Sequence, residues 1–361
     1  MKYILIAFLI CNSLISFSQV EEEHDVQTLI INLSYNVVYL EGESVKQAKL
    51  DGINNFDLYF KGGDGLLRPL TETISGTGFF IVHNKVWYLI TAQHVAEKLK
   101  INPTVTFSDN SNLPFKINLI QLQGSDSLAW IFHPNADVAV LPLFPSSILT
   151  NHFKNLLVIP STLFGDSVLS PKRYSEILAY GFPLRLGIEK HFSPISLSSH
   201  VGSGFIDIRR PDNGILSTFF LLDAPSIPGI SGGPVFSVPS IFNNGKFRLE
   251  GLVHGVITDQ TGGKLAAIVP SKFIMETIKM FTGFNGIITI KYPNNNKWSS
   301  RKYENGRLLE VFYNYTSDGK EQDKGSLKNG NGTLNYYDLM GKLISIETYK
   351  EGKLVEEKKI L

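Results

Sequence analysis

A short glycine-rich segment, Gly229 to Pro234, combines the residue types that nucleophilic acyl chemistry needs. A serine hydroxyl that attacks an acyl carbon requires backbone N–H groups directed at the oxygen that becomes negative. Glycine at position 229 can adopt a backbone conformation that a Cβ forbids, which would turn the N–H groups of Gly229 and Ser231 toward one point. The segment therefore predicts Ser231 as a nucleophile with an oxyanion hole in the same turn. A flexible surface turn is the alternative.

A nucleophilic serine also needs a base, because its hydroxyl reacts poorly at neutral pH until an adjacent group takes the proton. His94 is a candidate, since it follows the hydrophobic run 88–90 and could be held at the edge of a cleft. Asp137 directly precedes the apolar run 138–141 and could orient the imidazole. Each residue also has a plain structural interpretation, His94 as a surface residue and Asp137 as a turn residue.

The order and local patterns of these residues distinguish between the two interpretations. His94, Asp137 and Ser231 follow one another at intervals of 43 and 94 residues. Each lies in a segment that resembles the trypsin-like (chymotrypsin-fold) serine peptidases, and the matching segments are 76–80, 91–95, 137–141 and 223–234. The resemblance covers about residues 70 to 283 and is closest to bacterial exported members, of the HtrA-type and glutamyl endopeptidase-like branches.

The resemblance implies a role for each residue. Ser231 would be the nucleophile, His94 the general base and then acid, and Asp137 the acid that fixes the imidazole tautomer. The N–H groups of Gly229 and Ser231 would form the oxyanion hole.

The resemblance also implies that the strand-like segment 251–256 lines the primary specificity pocket. We expect Val253, His254 and Gly255 to lie closest to the substrate. Glutamate-specific relatives place a histidine near this point to meet an acidic side chain, which makes His254 a candidate for substrate recognition. An ordinary strand histidine is the alternative.

Composition excludes several other classes of function. The formal net charge is +1, from 34 basic and 33 acidic residues, so no overall field favours nucleic acid. The hydrophobic share of 43% is ample for a packed core. The remaining histidines have no metal-ligand spacing, and no glycine-rich phosphate loop links a strand to a helix. We therefore predict no metal and no cofactor.

The N-terminus has the pattern of a secretory signal peptide. Lys2 is followed by an apolar run from Ile4 to Ile10 and by small residues up to Ser18, after which cleavage is expected. The run is too short to span a bilayer, and no other window approaches that length. The chain is thus predicted to be exported, to the periplasm or outside the cell. Acylation at Cys11, the only cysteine, is the alternative.

The pattern of the middle of the chain predicts an all-β fold. From about residue 74 to 283, short β-branched and aromatic runs alternate with Gly, Pro, Asn and Ser. The resemblance specifies two antiparallel β-barrels with the active site in the cleft between them. One helix is predicted from Ser271 to about Phe281, with Gly283 as its stop signal.

The tail has a repeating pattern of its own. Its glycines at 306, 319, 330, 341 and 352 are spaced by 13, 11, 11 and 11 residues, and Asn-Gly and Asp-Gly pairs predict tight hairpins. The tail resembles, more loosely, MORN-like or YwqK-like repeats, which implies a protein or cell-surface partner. A disordered charged tail is the alternative. The predicted division of the chain is 1–18 signal peptide, 19–69 lead-in strands, 70–288 peptidase domain and 289–361 hairpin repeats.

Together these features predict an exported serine endopeptidase with a polypeptide substrate. Two alternatives remain at this point. A peptidase-like barrel could bind polypeptides without cleaving them, and an esterase could use the same three residues.

Overall fold

The computed structural model describes residues 33–48, 56–83, 86–109, 111–123, 129–143, 159–165, 168–238, 247–258, 264–292, 294, 296–337 and 340–360. The predicted signal peptide, residues 1–18, and Cys11 lie outside these ranges. The described part is mostly β, and its strands form two large antiparallel sheets followed by smaller C-terminal sheets. This arrangement confirms the predicted two-barrel fold.

Twelve strands belong to the first half of the described chain. They are β1 (Val37–Val45), β2 (Gln47–Ala48), β3 (Phe56–Asp57), β4 (Tyr59–Lys61), β5 (Leu67–Pro69), β6 (Thr71–His83), β7 (Val86–Thr91), β8 (Ile101–Ser108), β9 (Pro114–Asn118), β10 (Ile131–Phe132), β11 (Ala139–Leu143) and β12 (Ile159–Pro160). The first large sheet has the order β10-β11-β7-β6-β1-β8-β9, with β12 parallel to β6. Strands β2–β3 and β4–β5 form two small hairpins.

Strand β1 lies inside this sheet, although the sequence analysis places its residues in a lead-in segment. It pairs with β6 along its whole length and with β8 on its other side. Val37, Val38 and Leu40 are fully buried. Their burial on both faces of the strand explains the continuous apolar run that opens it.

Seven strands form the second large sheet. They are β13 (Glu176–Gly181), β14 (Ile195–His200), β15 (Ile206–Arg209), β16 (Leu216–Leu222), β17 (Pro234–Ser237), β18 (Arg248–Thr258) and β19 (Lys264–Pro270). The order is β14-β13-β17-β18-β19-β16-β15. The predicted nucleophile lies in the segment between β16 and β17 of the second sheet, and its backbone carbonyl accepts from Thr77 N of β6 in the first sheet.

The α-helices that lie wholly within the described ranges are α1 (Gln93–Ala96), α2 (Leu119–Gln123) and α3 (Ser271–Met280). Helix α3 confirms the helix predicted from Ser271. Its buried residues Ile274 and Ile278 are four positions apart, which places them on one face. This face packs against β11 of the first sheet and β18 of the second, so α3 joins the two halves.

One hydrophobic core runs through both halves. Phe79 and Val140 of the first sheet and Phe219 and Phe236 of the second belong to the same cluster of fully buried side chains. Burial of a side chain of this size contributes about 1.5–3 kcal/mol. The interface between the barrels is therefore part of the core and not a loose contact.

The C-terminal strands confirm the predicted hairpins. They are β20 (Gly286–Lys291), β21 (Lys297–Glu304), β22 (Arg307–Tyr315), β23 (Glu321–Gln322), β24 (Gly332–Tyr337), β25 (Leu343–Lys350) and β26 (Lys353–Lys359). The turns at Asn305-Gly306 and Glu351-Gly352 have positive φ at both positions, as two-residue primed turns require. The ring of Phe284 contacts that of Phe281, just beyond α3, at 5.0 Å. The similarity of these hairpins to MORN-like repeats stays a prediction.

Candidate active site

His94 and Asp137 are brought together by the pairing of two neighbouring strands. His94 lies in α1, shortly after the end of β7, and Asp137 lies two residues before β11, which pairs with β7. His94 Nδ1 is 2.7 Å from Asp137 Oδ2, and the backbone N–H of His94 donates to Asp137 Oδ1 at 3.0 Å. The carboxylate therefore contacts both the ring and the backbone of His94. This geometry fixes the orientation of the ring and places the proton on Nδ1, which leaves Nε2 free to act as a base.

Asp137 remains ionised although its side chain is fully buried. Burial by itself raises the pKa of this carboxyl, but the hydrogen bonds from His254 and His94 outweigh it and hold the pKa well below its usual range. A charged acceptor is therefore available to stabilise a protonated His94.

The loop that carries Ser231 is attached to the elements around His94. The carbonyl of Ser231 accepts the N–H of Thr77 at 2.9 Å, and the N–H of Gly232 donates to Val253 O at 2.7 Å. Gly76 faces both Val95, the neighbour of His94, and the Ser231 carbonyl, so closely that a Cβ at position 76 would lie 2.6 Å and 3.3 Å from them. Ser231 is thus held next to the His94 segment. Among the hydrogen bonds of the described residues, none joins Ser231 Oγ to the imidazole.

The oxyanion hole can be derived from the neighbouring peptide groups. The carbonyl of Pro228 accepts from Leu184 N at 3.1 Å, and the carbonyl of Ile230 accepts from Gly233 N at 2.9 Å. In a planar trans peptide the following N–H points away from the carbonyl. The N–H groups of Gly229 and Ser231 therefore point away from these partners, and in the described part of the chain neither donates a hydrogen bond. Two such donors are what a developing oxyanion requires.

Gly229 is needed for this geometry. Its φ is +100°, and a Cβ there would lie 2.5 Å from the carbonyl oxygen of Phe182. We expect Gly229→Ala to lower kcat/KM for a peptide substrate by about 100- to 1000-fold, because one oxyanion donor would be displaced. Gly319→Ala is the matched control, since Gly319 also has positive φ but no neighbour within 4 Å and lies in the tail. Unchanged kcat/KM in Gly229→Ala would contradict the assignment.

The three predicted pocket residues take different places. Val253 lines a cavity of about 30 Å³ next to Ile230. Gly255 faces Ser231, since a Cβ added at position 255 would lie 3.9 Å from Ser231 Oγ. His254 departs from the expectation: its Nδ1 lies 2.5 Å from Asp137 Oδ2, and its ring packs on Phe219. The cavity lining includes Val253 but not His254, which lies at a register shift of β18 between Val253 and Gly255.

The sequence analysis missed Arg210. Its Nη2 donates to Asp137 Oδ1 at 2.9 Å, and both side chains are fully buried. The local sequence Arg-Pro-Asp-Asn-Gly from position 210 to 214 predicts an exposed turn. No local pattern distinguishes this arginine from a surface residue, because its partner is 73 residues away.

His94, Asp137 and His254 also satisfy a distance criterion for a metal site, with ligand atoms within 4.8 Å of one another. The surroundings favour hydrogen bonding instead. Both histidines use the same nitrogen, Nδ1, to contact the carboxylate, and the Arg210 cation already faces that carboxylate. A second cation would be repelled by Arg210 and would have to replace both hydrogen bonds.

Comparisons with known proteins give one family match and several structural likenesses. Residues 76–239 match the family model described as a trypsin-like peptidase domain. Among solved structures, the chain is similar to the MamO protease domain from Magnetospirillum magneticum in its apo form, with 16% identity, a TM-score of 0.43 and coverage of 68% of this chain and 96% of that one. It is also similar to Deg5, with 17% identity, a TM-score of 0.41 and coverage of 72% and 94%. These two likenesses are too low to carry a functional inference.

No curated protein matches the sequence. In the described ranges, no helix is both long and apolar enough to cross a membrane. The family match supports a peptidase-type hydrolase with a polypeptide substrate.

Proposed function

We propose that the protein is a serine endopeptidase that uses Ser231, His94 and Asp137 as a catalytic triad. The observation that carries the proposal is the contact of His94 Nδ1 with a buried, ionised Asp137 at 2.7 Å, beside a serine whose loop presents two free N–H groups. A metal or a cofactor is not needed for this chemistry.

The reaction follows from the position of each group. Ser231 Oγ attacks the peptide carbonyl carbon while His94 Nε2 takes the hydroxyl proton, and the N–H groups of Gly229 and Ser231 stabilise the oxyanion. Breakage of the C–N bond leaves an acyl-enzyme, and His94 returns the proton to the departing amine. Water then attacks the ester with His94 as base, which releases the acid and restores Ser231.

The absence of a Ser231–His94 hydrogen bond does not decide against activity, because catalytic hydrogen bonds are often long before substrate binds. It does keep a non-cleaving binding module as the second candidate. Such a module would bind extended polypeptides but form no covalent adduct. An esterase would form the adduct and would hydrolyse esters but not peptides.

A fluorophosphonate probe tests the proposal, since it reacts only with an activated serine. We expect the folded wild-type protein to be labelled once, with the adduct located on Ser231 by peptide mass spectrometry. Parallel assays with peptide and ester substrates separate a peptidase from an esterase. A folded protein that is never labelled would leave only the binding module.

The cavity beside Val253 gives the proposal a specificity. The cavity is small, at about 30 Å³, and its lining is uncharged and mostly apolar, with Ala179, Ser226 and Ile230 among its residues. We expect cleavage after small uncharged residues such as Ala or Val, by about 10-fold or more over Phe or Glu in a peptide library, because one methylene in a tight pocket changes rates by about 10- to 200-fold. Val253→Ala enlarges the cavity and should extend cleavage to Leu. A preference of the wild type for Glu would instead support the recognition role predicted for His254.

The organisation of the chain completes the proposal. We take the peptidase unit to begin with β1, since this strand lies inside the first sheet, and to end near residue 288. The hairpins of 289–361 would bind a protein or cell-surface partner. Export through the predicted signal peptide is consistent with such a role.

A further inference from the structure

Arg210 is a buried arginine that crosses from one half of the protein to the other. It follows β15 in the turn to β16, where its backbone N–H donates to Ile215 O at 2.9 Å. Its side chain is fully buried and reaches two residues of the first half. Nη2 donates to Asp137 Oδ1 at 2.9 Å, and Nη1 donates to Gln93 Oε1 at 3.0 Å.

The guanidinium completes the set of donors around Asp137. Oδ1 accepts from the backbone N–H of His94 and from Arg210, while Oδ2 faces Nδ1 of both His94 and His254. Each oxygen thus has two partners. A carboxylate held in this way cannot rotate about its Cβ–Cγ bond without breaking several hydrogen bonds.

Arg210 is itself fixed by a second acid. Its Nε lies 3.0 Å from Asp212 Oδ1, and its Nη2 lies 2.5 Å from Asp212 Oδ2. A two-point contact between a guanidinium and a carboxylate fixes the plane of the guanidinium as well as its position. Asp212 therefore holds Arg210 from the second half, in the orientation that Asp137 needs in the first half.

We propose that Arg210 is a positioning residue for the peptidase reaction, which holds the Asp137 carboxylate, and through it His94, in the catalytic orientation across the interface between the barrels. This inference rests on the proposed function. Arg210 does not touch the reacting atoms, because its partners are Asp137, Gln93 and Asp212.

The test compares Arg210→Gln and Arg210→Lys with the wild type, on the full chain. In Arg210→Gln we expect kcat to fall about 10-fold or more at nearly constant KM, because a small misplacement of a catalytic group is costly. Arg210→Lys keeps a buried cation that can donate to Asp137 and should recover part of the lost kcat at the wild-type KM. Arg209→Gln is the matched control, since the neighbouring Arg209 is exposed and its side chain donates to Gly214 O and to no other described residue.

Folding is checked by thermal unfolding of each variant. If Arg210→Gln does not fold, Asp212→Asn is measured in its place. Asp212 is partly exposed, and this substitution weakens the contact that fixes Arg210 while Arg210 itself is retained. Wild-type kcat in a folded Arg210→Gln, or in Asp212→Asn when Arg210→Gln is unfolded, would overturn the inference alone. A folded wild type without probe labelling and without peptide hydrolysis would overturn both the inference and the proposed function.

Discussion

Ser231→Ala is expected to lower kcat/KM for peptide hydrolysis by about 10⁴- to 10⁶-fold and to abolish labelling by a fluorophosphonate probe. The reason is that the acyl-enzyme cannot form without Oγ, whereas the oxyanion donors and the bound substrate remain. Stability should change little, because within the described part of the chain Ser231 forms its hydrogen bond through the backbone carbonyl, which alanine retains.

The control for this variant is a serine elsewhere in the chain. Ser317→Ala changes an exposed residue of the tail and should leave both labelling and hydrolysis at the wild-type level. Labelling that persists in Ser231→Ala would show that another residue is the nucleophile. Loss of labelling in Ser317→Ala would point instead to a general effect on folding.

Asp137→Asn is expected to have the second-largest effect, with kcat lower by about 10⁴-fold. An asparagine amide can donate to His94 Nδ1 and thus favours the wrong imidazole tautomer. It also removes the charge that faces Arg210. Breaking a buried ion pair costs about 3–5 kcal/mol. Arg210 keeps its contact with Asp212 in this variant, so we expect the free energy of unfolding to fall by about 3 kcal/mol.

The same substitution should change how stability depends on pH. The pKa of Asp137 is lowered by folding, so its contribution to stability is complete well above the usual aspartate pKa of 3.8 and is lost progressively as the pH falls below it. Urea unfolding at pH 7 and pH 3 measures this directly. The gap in unfolding free energy between the wild type and Asp137→Asn should be large at pH 7 and smaller at pH 3. Equal urea midpoints of the wild type and Asp137→Asn at pH 7 would contradict the interpretation that ionised Asp137 stabilises the fold.

The local features of the site could be predicted from the sequence because each depends on its near neighbours. Gly229 must allow a positive φ in its own turn, and the observed φ of +100° agrees with that requirement. The turn at Asn305-Gly306 follows from the same preference for positive φ. His94 and Asp137 meet because each adjoins a strand, and those two strands pair.

The rest depended on contacts between distant parts of the chain. Residues of β1 pair with those of β6 more than 25 positions away, and no local pattern specifies that partner. Arg210 lies in a turn sequence whose usual place is the surface. The contact of His254 with Asp137 joins residues 117 positions apart, so no local pattern predicts it.

The joining of the two halves through α3 has a consequence for the order in which the protein becomes active. His94 and Asp137 belong to the part synthesised first, while Arg210, Ser231 and α3 belong to the part synthesised later. A ribosome-bound chain that ends before α3 therefore holds the base without its nucleophile, or the nucleophile without the helix that packs on both sheets. Under the proposed function, a growing chain cannot cleave other polypeptides until α3, which packs on both sheets, has been synthesised.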